Sequence, residues 1–303
     1  MPMFVRVPRN GRVISSTGSY AGRLNVLDRK ETAVQRQLRR AGLAGYEPLT
    51  QATLLALAEL APRPTSFLDV GAHIGLYSAL IATIFADDDV QVIAFEPTPH
   101  TADIARRLAA RNGLSYSVEQ LALSSAPGKA TLYISAKAET SNSLSEGFRE
   151  SAQSVGVTVT TLDDFCLERG VTPSVMKIDV ETFEPHVLRG GLLTLDRARP
   201  SIVFELLPKS DARMTDSVLR LLGSIGYRLH RAVGDEWVET PLDTYRLHLS
   251  HTSRDWLLSP TKPEGLDASV QRWLAAIAEC TEDTNLMVPG GQAPPDGWNA
   301  KHA

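Results

Sequence analysis

The sequence predicts an α/β fold built on a doubly wound, mostly parallel sheet with a helical N-terminal extension. Three observations carry that reading. From residue 66 onward, short and nearly continuous apolar runs alternate with amphipathic stretches, as strands buried on both faces do when helices cover them. The first such run ends in Asp69-Val70-Gly71-Ala72-His73-Ile74-Gly75, a glycine loop leading into a helix. The second ends in Phe95-Glu96-Pro97, a carboxylate at a strand terminus.

The elements follow in order. The first 45 residues are Arg-rich, with Arg29, Lys30, Arg36, Arg39 and Arg40, and Val34 and Leu38 share one helical face; this reads as a solvated helix packed on a larger body. Thr50 opens a helix that runs to Leu60 and is stopped by Pro62 and Pro64. Strands are expected at 66–70, 90–95, 117–123, 175–180 and 201–206, with helices at 76–85, 99–111, 183–188 and 211–225. Leu76, Leu80 and Ile84 recur at helical spacing, as do Ile104 and Leu108. Thr98 is placed to cap a helix with Pro99 at its first position, and Asn112-Gly113 to close it. Residues 128–135 read as an extra strand after a Pro127-Gly128 turn, and the Ser-rich stretch 137–153 as a long loop. Two further β-like runs fall at 227–233 and 244–250. Residues 288–297 have the composition of a disordered tail. The expected organisation is an extension at 1–45, a main domain at 46–250 and a C-terminal appendage at 251–303.

Composition narrows the function classes. The 303 residues carry 31 Lys+Arg against 35 Asp+Glu, a net charge of −4, so no global attraction to nucleic acid or an anionic membrane is expected. Hydrophobic residues at 43% and charged residues at 22% fit a protein with a sizeable buried core. Cys166 and Cys280 are too few for a zinc site, and a disulfide between them is not expected. No apolar run is long enough to cross a membrane, and the N-terminus, broken by Pro2, Pro8 and Gly11, does not read as a signal peptide. The expected location is the cytoplasm.

The loop at Gly71 and Gly75 lacks the third glycine of the dinucleotide fingerprint, which argues against an NAD-dependent oxidoreductase. Asp69 before the first glycine suits a ligand with a positive centre, and Glu96 is placed to accept bonds from both hydroxyls of a ribose. A third group is Lys177, Asp179 and Glu181. Alternation puts these on one side of the fourth strand and its exit, with Met176, Ile178 and Val180 on the other. Glu205 ends the fifth strand, so the carboxylates should converge beyond the sheet's carboxyl edge. Lys177 would keep a neighbouring carboxylate ionised while apolar surroundings would raise its pKa, and the sequence leaves that balance open. A divalent metal held by these carboxylates is the lesser reading, since no histidine accompanies them at metal spacing, and no metal is assigned. His186 reads as a packing residue, and Trp237, Trp256 and Trp273 as core.

Taken together, these stretches resemble a class I S-adenosylmethionine-dependent methyltransferase with its Rossmann-like fold, and more narrowly the FkbM family. That family carries Asp-Val-Gly-Ala-Asn-Ile-Gly and Phe-Glu-Pro segments, and the likeness continues through Ala122-Leu123-Ser124, Asn142-Ser143-Leu144, Thr161-Leu162-Asp163-Asp164-Phe165 and Met176-Lys177-Ile178-Asp179-Val180-Glu181. It extends over residues 46–208. The resemblance implies S-adenosylmethionine as cofactor, held by Asp69, Gly71, His73, Ile74, Gly75, Glu96, Pro97, Ala122 and Leu123. Asp179, Glu181 and Lys177 would stand at the reacting end. It further implies O-methylation of a hydroxyl on a sugar or secondary metabolite, with a small-molecule or glycan acceptor. The rival readings are N-methylation of a small molecule or peptide, and a nucleoside-binding protein without turnover. Two departures stand out: His73 occupies the family's Asn position, and Thr182-Phe183 replaces Gly-Ala.

Overall fold

The structure is a computed structural model that describes residues 4–8, 22–26, 32–135, 144, 151–250 and 254–281. Phe4–Val7 (β1) and Gly22–Asn25 (β2) form an antiparallel ribbon. Ala33–Ala41 (α1) follows, opened by a reciprocal capping box between Thr32 and Gln35, and then Pro48–Leu60 (α2). The expected alternation begins at Thr65–Val70 (β3) and runs through Leu76–Ile84 (α3), Val90–Phe95 (β4), Pro99–Asn112 (α4) and Tyr116–Glu119 (β5).

The chain then leaves the main sheet. The strand expected at 117–123 is two: β5 ends at Glu119, and Ala122–Leu123 (β6) joins a separate three-stranded sheet with Gly128–Ser135 (β7) and Ser151–Thr160 (β8). Residues 151–153, expected in a loop, are therefore strand, and most of the remaining loop expectation lies outside the described residues, as does the tail at 288–297. Leu162–Arg169 (α5), Val175–Ile178 (β9), Glu184–Arg189 (α6), Leu192–Ala198 (α7), Ser201–Glu205 (β10) and Ala212–Ser224 (α8) complete the parallel part. Arg228–Val233 (β11), Glu236–Thr240 (β12) and Asp255–Ser259 (β13) close the far edge before Leu266–Ala278 (α9). Residues 244–250 are not a strand; Tyr245–His248 is a single 3₁₀ turn.

The main sheet has eight strands in the order β12-β11-β13-β10-β9-β3-β4-β5, parallel from β10 to β5 and antiparallel about β13. Because β13 lies between β10 and β11, the boundary expected at residue 250 falls within this sheet rather than at the edge of an appendage. The strand alternation sorts side chains onto two cores. Phe67, Val92, Val175 and Val203 face α1 to α4 and α9, while Leu68, Ile93, Met176 and Ile202 face α5 to α8. The three tryptophans are buried as expected, with Trp237 Nε1 donating to Thr53 Oγ1 on α2 at 2.9 Å. Both cysteines are buried and free. Among the described residues, no helix is long and apolar enough to cross a membrane.

The consequence for function is topological. From β3 the chain winds outward one way to β4 and β5, and later the other way through β9 to β10. Such a reversal opens a crevice beyond the carboxyl ends of the strands.

Candidate active site

The crevice is walled by four chain segments: the loop after β3, the loop after β4, the stretch around β6, and the exit from β9. The first wall depends on Gly71. Its φ is +82°, and a Cβ there would sit 1.9 Å from the Asp179 carbonyl oxygen. Only a residue without a side chain lets the β3 loop and the β9 exit approach this closely. Gly71 N and Ala72 N both donate to Phe95 O, and Asp179 N donates to Val70 O at 2.9 Å, which ties three strand ends together.

Glu96 forms the second wall and is 6% exposed. His73 N donates to its Oε2 at 2.9 Å, and Thr98 N to its Oε1 at 2.8 Å. These bonds fix the carboxylate across the mouths of β3 and β4. The side chains of Thr98 and Thr101 bond the same carboxylate. Burial raises the Glu96 pKa, and the bonds from Thr98, Thr101 and His73 work against that rise. Thr98 carried no site role in the sequence reading, which saw it only as a helix cap, yet it lines the crevice.

Of the residues expected at the cofactor, Gly71, His73, Glu96, Pro97, Ala122 and Leu123 line this crevice. Ile74 does not; with Lys177 it lines an adjoining small cavity that shares Gly71, His73 and Asp179 with the first. Asp69 lines neither. It is fully buried, and its Oδ2 accepts from Ser78 N at 3.0 Å and Ser78 Oγ at 2.7 Å. The helix that follows the loop claims the carboxylate, so Asp69 anchors α3 from behind. Gly75 lines neither cavity either; with φ +77° it precedes α3, and a Cβ there would meet Tyr116 and Ala105.

His73 holds a left-handed backbone with φ +51°, and both its ring nitrogens are buried without a hydrogen-bond partner. Burial lowers its pKa to about 4; Asp179 pulls the value up, and Lys177 and His100 push it down.

The last wall gathers charge. β9 stops at Ile178, so the alternation expected through Glu181 does not persist: Val180 lines the crevice together with Asp179 and Glu181. Glu181 and Thr182 have φ +53° and +78°, a region that costs a β-branched residue strain, and Thr182 is where the resemblance expects glycine. Phe183 faces the crevice and stacks on the His186 ring at 4.1 Å, which accounts for His186 as a packing residue. Lys177 Nζ donates to Asp179 Oδ2 at 2.9 Å and lies 4.8 Å from the centre of the Tyr77 ring. Burial alone would lower the Lys177 pKa, but Asp179, Asp69 and Glu47 together raise it, so it stays charged. Lys177 therefore orients Asp179 from behind and is not itself in the crevice.

Glu205 does converge on this point, as the strand-end argument expects. A carboxylate oxygen from each of Asp179, Glu181 and Glu205 lies within 4.8 Å of the others. Burial raises the Glu205 pKa to about 10, with Asp179 and Glu181 adding to it and Arg254 opposing. Arg254, whose Nη1 is 2.8 Å from Glu205 Oε1, comes from a segment far along the chain that carried no motif.

Comparison with known proteins agrees with the sequence resemblance. A family model described as the methyltransferase FkbM domain matches residues 69–229, just over half of the chain. Similar solved structures include the methyltransferase FkbM from Methylobacillus flagellatus, at 14% identity and TM-score 0.43, covering 64% of this chain and 43% of that one. This chain thus spans less than half the length of that protein. An rRNA methylase from Streptococcus thermophilus matches at 12% identity and TM-score 0.37, over 68% of this chain and 91% of that one. A ribosomal protein L11 methylase from Lactobacillus delbrueckii subsp. bulgaricus matches at 12% identity and TM-score 0.38, over 72% and 80%. No curated protein matches the chain.

Proposed function

The chain belongs to the FkbM methyltransferase family, and from that premise we propose that it methylates a hydroxyl of a sugar or secondary metabolite, with S-adenosylmethionine as donor. The observation that carries the reading is Glu96, a buried carboxylate fixed by two backbone N–H groups at the mouths of adjacent parallel strands, facing the crevice. Ribose hydroxyls would take the places that the rotatable Thr98 and Thr101 hydroxyls hold on this carboxylate. The glycine cradle at Gly71 admits a ligand close to the backbone, and Phe95, Leu121 and Leu123 give an apolar lining suited to a flat base.

S-adenosylmethionine supplies, when bound, a sulfonium methyl group already activated for in-line displacement. The protein's contribution is then alignment and a destination for the acceptor's proton. Asp179 is the group we assign to that proton. It lines the crevice, and Lys177 holds one of its oxygens in a fixed direction. Asp179 would take the hydroxyl proton of the acceptor as its oxygen is methylated. Phe183 and Leu144 also border a neighbouring groove lined by Ser124, Lys129 and Tyr133, which provides a polar approach for the acceptor.

Turnover of S-[methyl-³H]adenosylmethionine against sugar and polyol acceptors tests this reading, with mass spectrometry to locate the methyl group on oxygen or nitrogen. Asp179→Asn should lower kcat at least about a hundredfold while the affinity for S-adenosylhomocysteine changes little. A near-wild-type kcat would remove Asp179 from proton transfer, and methyl exclusively on nitrogen would overturn the O-methylation assignment.

A further inference from the structure

Three carboxylates converge at the mouth of β9. Asp179, Glu181 and Glu205 come from a strand exit, a left-handed loop residue and the end of the neighbouring strand, yet one oxygen of each lies within 4.8 Å of the other two. Lys177 takes Asp179 Oδ2 at 2.9 Å, and Arg254 takes Glu205 Oε1 at 2.8 Å. Glu205 is 5% exposed, and its second oxygen, Oε2, is buried with no donor. Close like charges repel, and a buried carboxylate oxygen without a partner bears an uncompensated desolvation cost. A small cation among the three acids removes both penalties.

We propose that Asp179, Glu181 and Glu205 bind one hard divalent cation at the acceptor end of the crevice, and that its open positions take two neighbouring oxygens of the acceptor. An all-oxygen donor set favours hard cations over zinc or copper. Metal–oxygen distances of about 2.3 to 2.6 Å put two ligands of Ca²⁺ at most about 5 Å apart, and the three carboxylate oxygens lie within 4.8 Å of one another. Three protein oxygens leave several coordination positions open, and this suits an acceptor with adjacent oxygens, such as a vicinal diol. Lys177 and Arg254 fix the outer carboxylate oxygens, the work of groups that orient metal ligands. A hydroxyl on a divalent cation gives up its proton more readily, so the cation would ease the transfer to carboxylate. The acceptor half of this proposal rests on the methyl-transfer reading; cation binding itself does not.

The test is a titration of the full, EDTA-stripped chain with Mn²⁺, followed by the electron paramagnetic resonance signal of the free ion, with Ca²⁺ as competitor. S-adenosylhomocysteine affinity is measured on the same samples. One Mn²⁺ per chain with Kd below about 1 mM is expected. Glu205→Gln and Glu181→Gln should each weaken it at least tenfold with S-adenosylhomocysteine affinity retained and a cooperative thermal melt. Should Glu205→Gln not fold because Arg254 loses its partner, Glu181→Gln carries the comparison alone. Absence of Mn²⁺ uptake by the folded wild type at millimolar concentrations, or uptake indifferent to the substitutions that fold, overturns the site. Mn²⁺ uptake by a chain that fails to bind S-adenosylhomocysteine would support the cation site and sink the methyl-transfer reading instead.

Discussion

Glu96→Ala perturbs the fold and the proposed cofactor site through the same atoms, and the two effects separate by assay. The substitution deletes the acceptor of two backbone N–H groups, His73 N and Thr98 N, at a position 6% exposed. Each orphaned donor costs about 1 to 3 kcal/mol where water cannot replace the acceptor. Two features reduce the total. The crevice gives water a route to these groups, and the variant no longer buries the carboxylate whose desolvation raises the Glu96 pKa. A loss of about 2 kcal/mol in unfolding free energy is expected, read from urea denaturation at pH 7. Loss of the ribose bonds should weaken S-adenosylhomocysteine about 5- to 150-fold in calorimetry. Glu96→Gln is an informative control, since its single carbonyl oxygen can serve only one of the two N–H groups and its NH₂ must face the other. It should lose about half as much stability. Wild-type stability together with an unchanged dissociation constant for Glu96→Ala would refute both the hydrogen-bond argument and the ribose assignment.

Gly71→Ala would force a Cβ to within 1.9 Å of the Asp179 carbonyl at φ +82°; about 1 to 2 kcal/mol of backbone strain plus about 1 for the broken Val70–Asp179 bond predicts a loss near 3 kcal/mol, which chemical denaturation measures. Asp69→Asn removes the charge that Ser78 and Lys177 compensate, and should destabilise the fold by about 2 kcal/mol while leaving S-adenosylhomocysteine affinity within threefold; a large affinity loss would return Asp69 to the ligand surface. His73 has a folded pKa of about 4, below its ordinary value of 6.5, so its contribution is intact above pH 6.5 and is lost as pH falls through 6.5 toward 4. The slope approaches about 1.4 kcal/mol per pH unit, and urea midpoints for His73→Asn should fall less between pH 7 and 4.5 than those of the wild type. Equal slopes would contradict the buried, neutral imidazole.

Some of this organisation is legible from residue order, and the reasons differ by element. β3, β4, β9 and β10 are read because strands buried on both faces leave uninterrupted apolar runs. Glu96 and Gly71 are read because a parallel sheet places strand ends, and little else, at its ligand edge. The strand at 117–123 is misread because its apolar residues serve two sheets in succession, with the chain turning between Glu119 and Ala122. β12 is missed because it is an edge strand with mostly exposed side chains, and 244–250 is misread because local turn bonds replace ladder bonds there. Asp69 faces α3 because a strand-end carboxylate can turn toward ligand or helix, and here Ser78, nine residues on, takes its Oδ2. Arg254 approaches Glu205 only through tertiary packing, so no local signal marks it.

The most direct test of the central claim is a crystal structure of the full chain with S-adenosylhomocysteine. The ribose hydroxyls should lie within hydrogen-bond distance of the Glu96 carboxylate, the backbone at Gly71 against the ligand, and the sulfur turned toward Asp179. A ligand bound elsewhere, or one in this crevice with its ribose away from Glu96 and its sulfur away from the β9 exit, would contradict it.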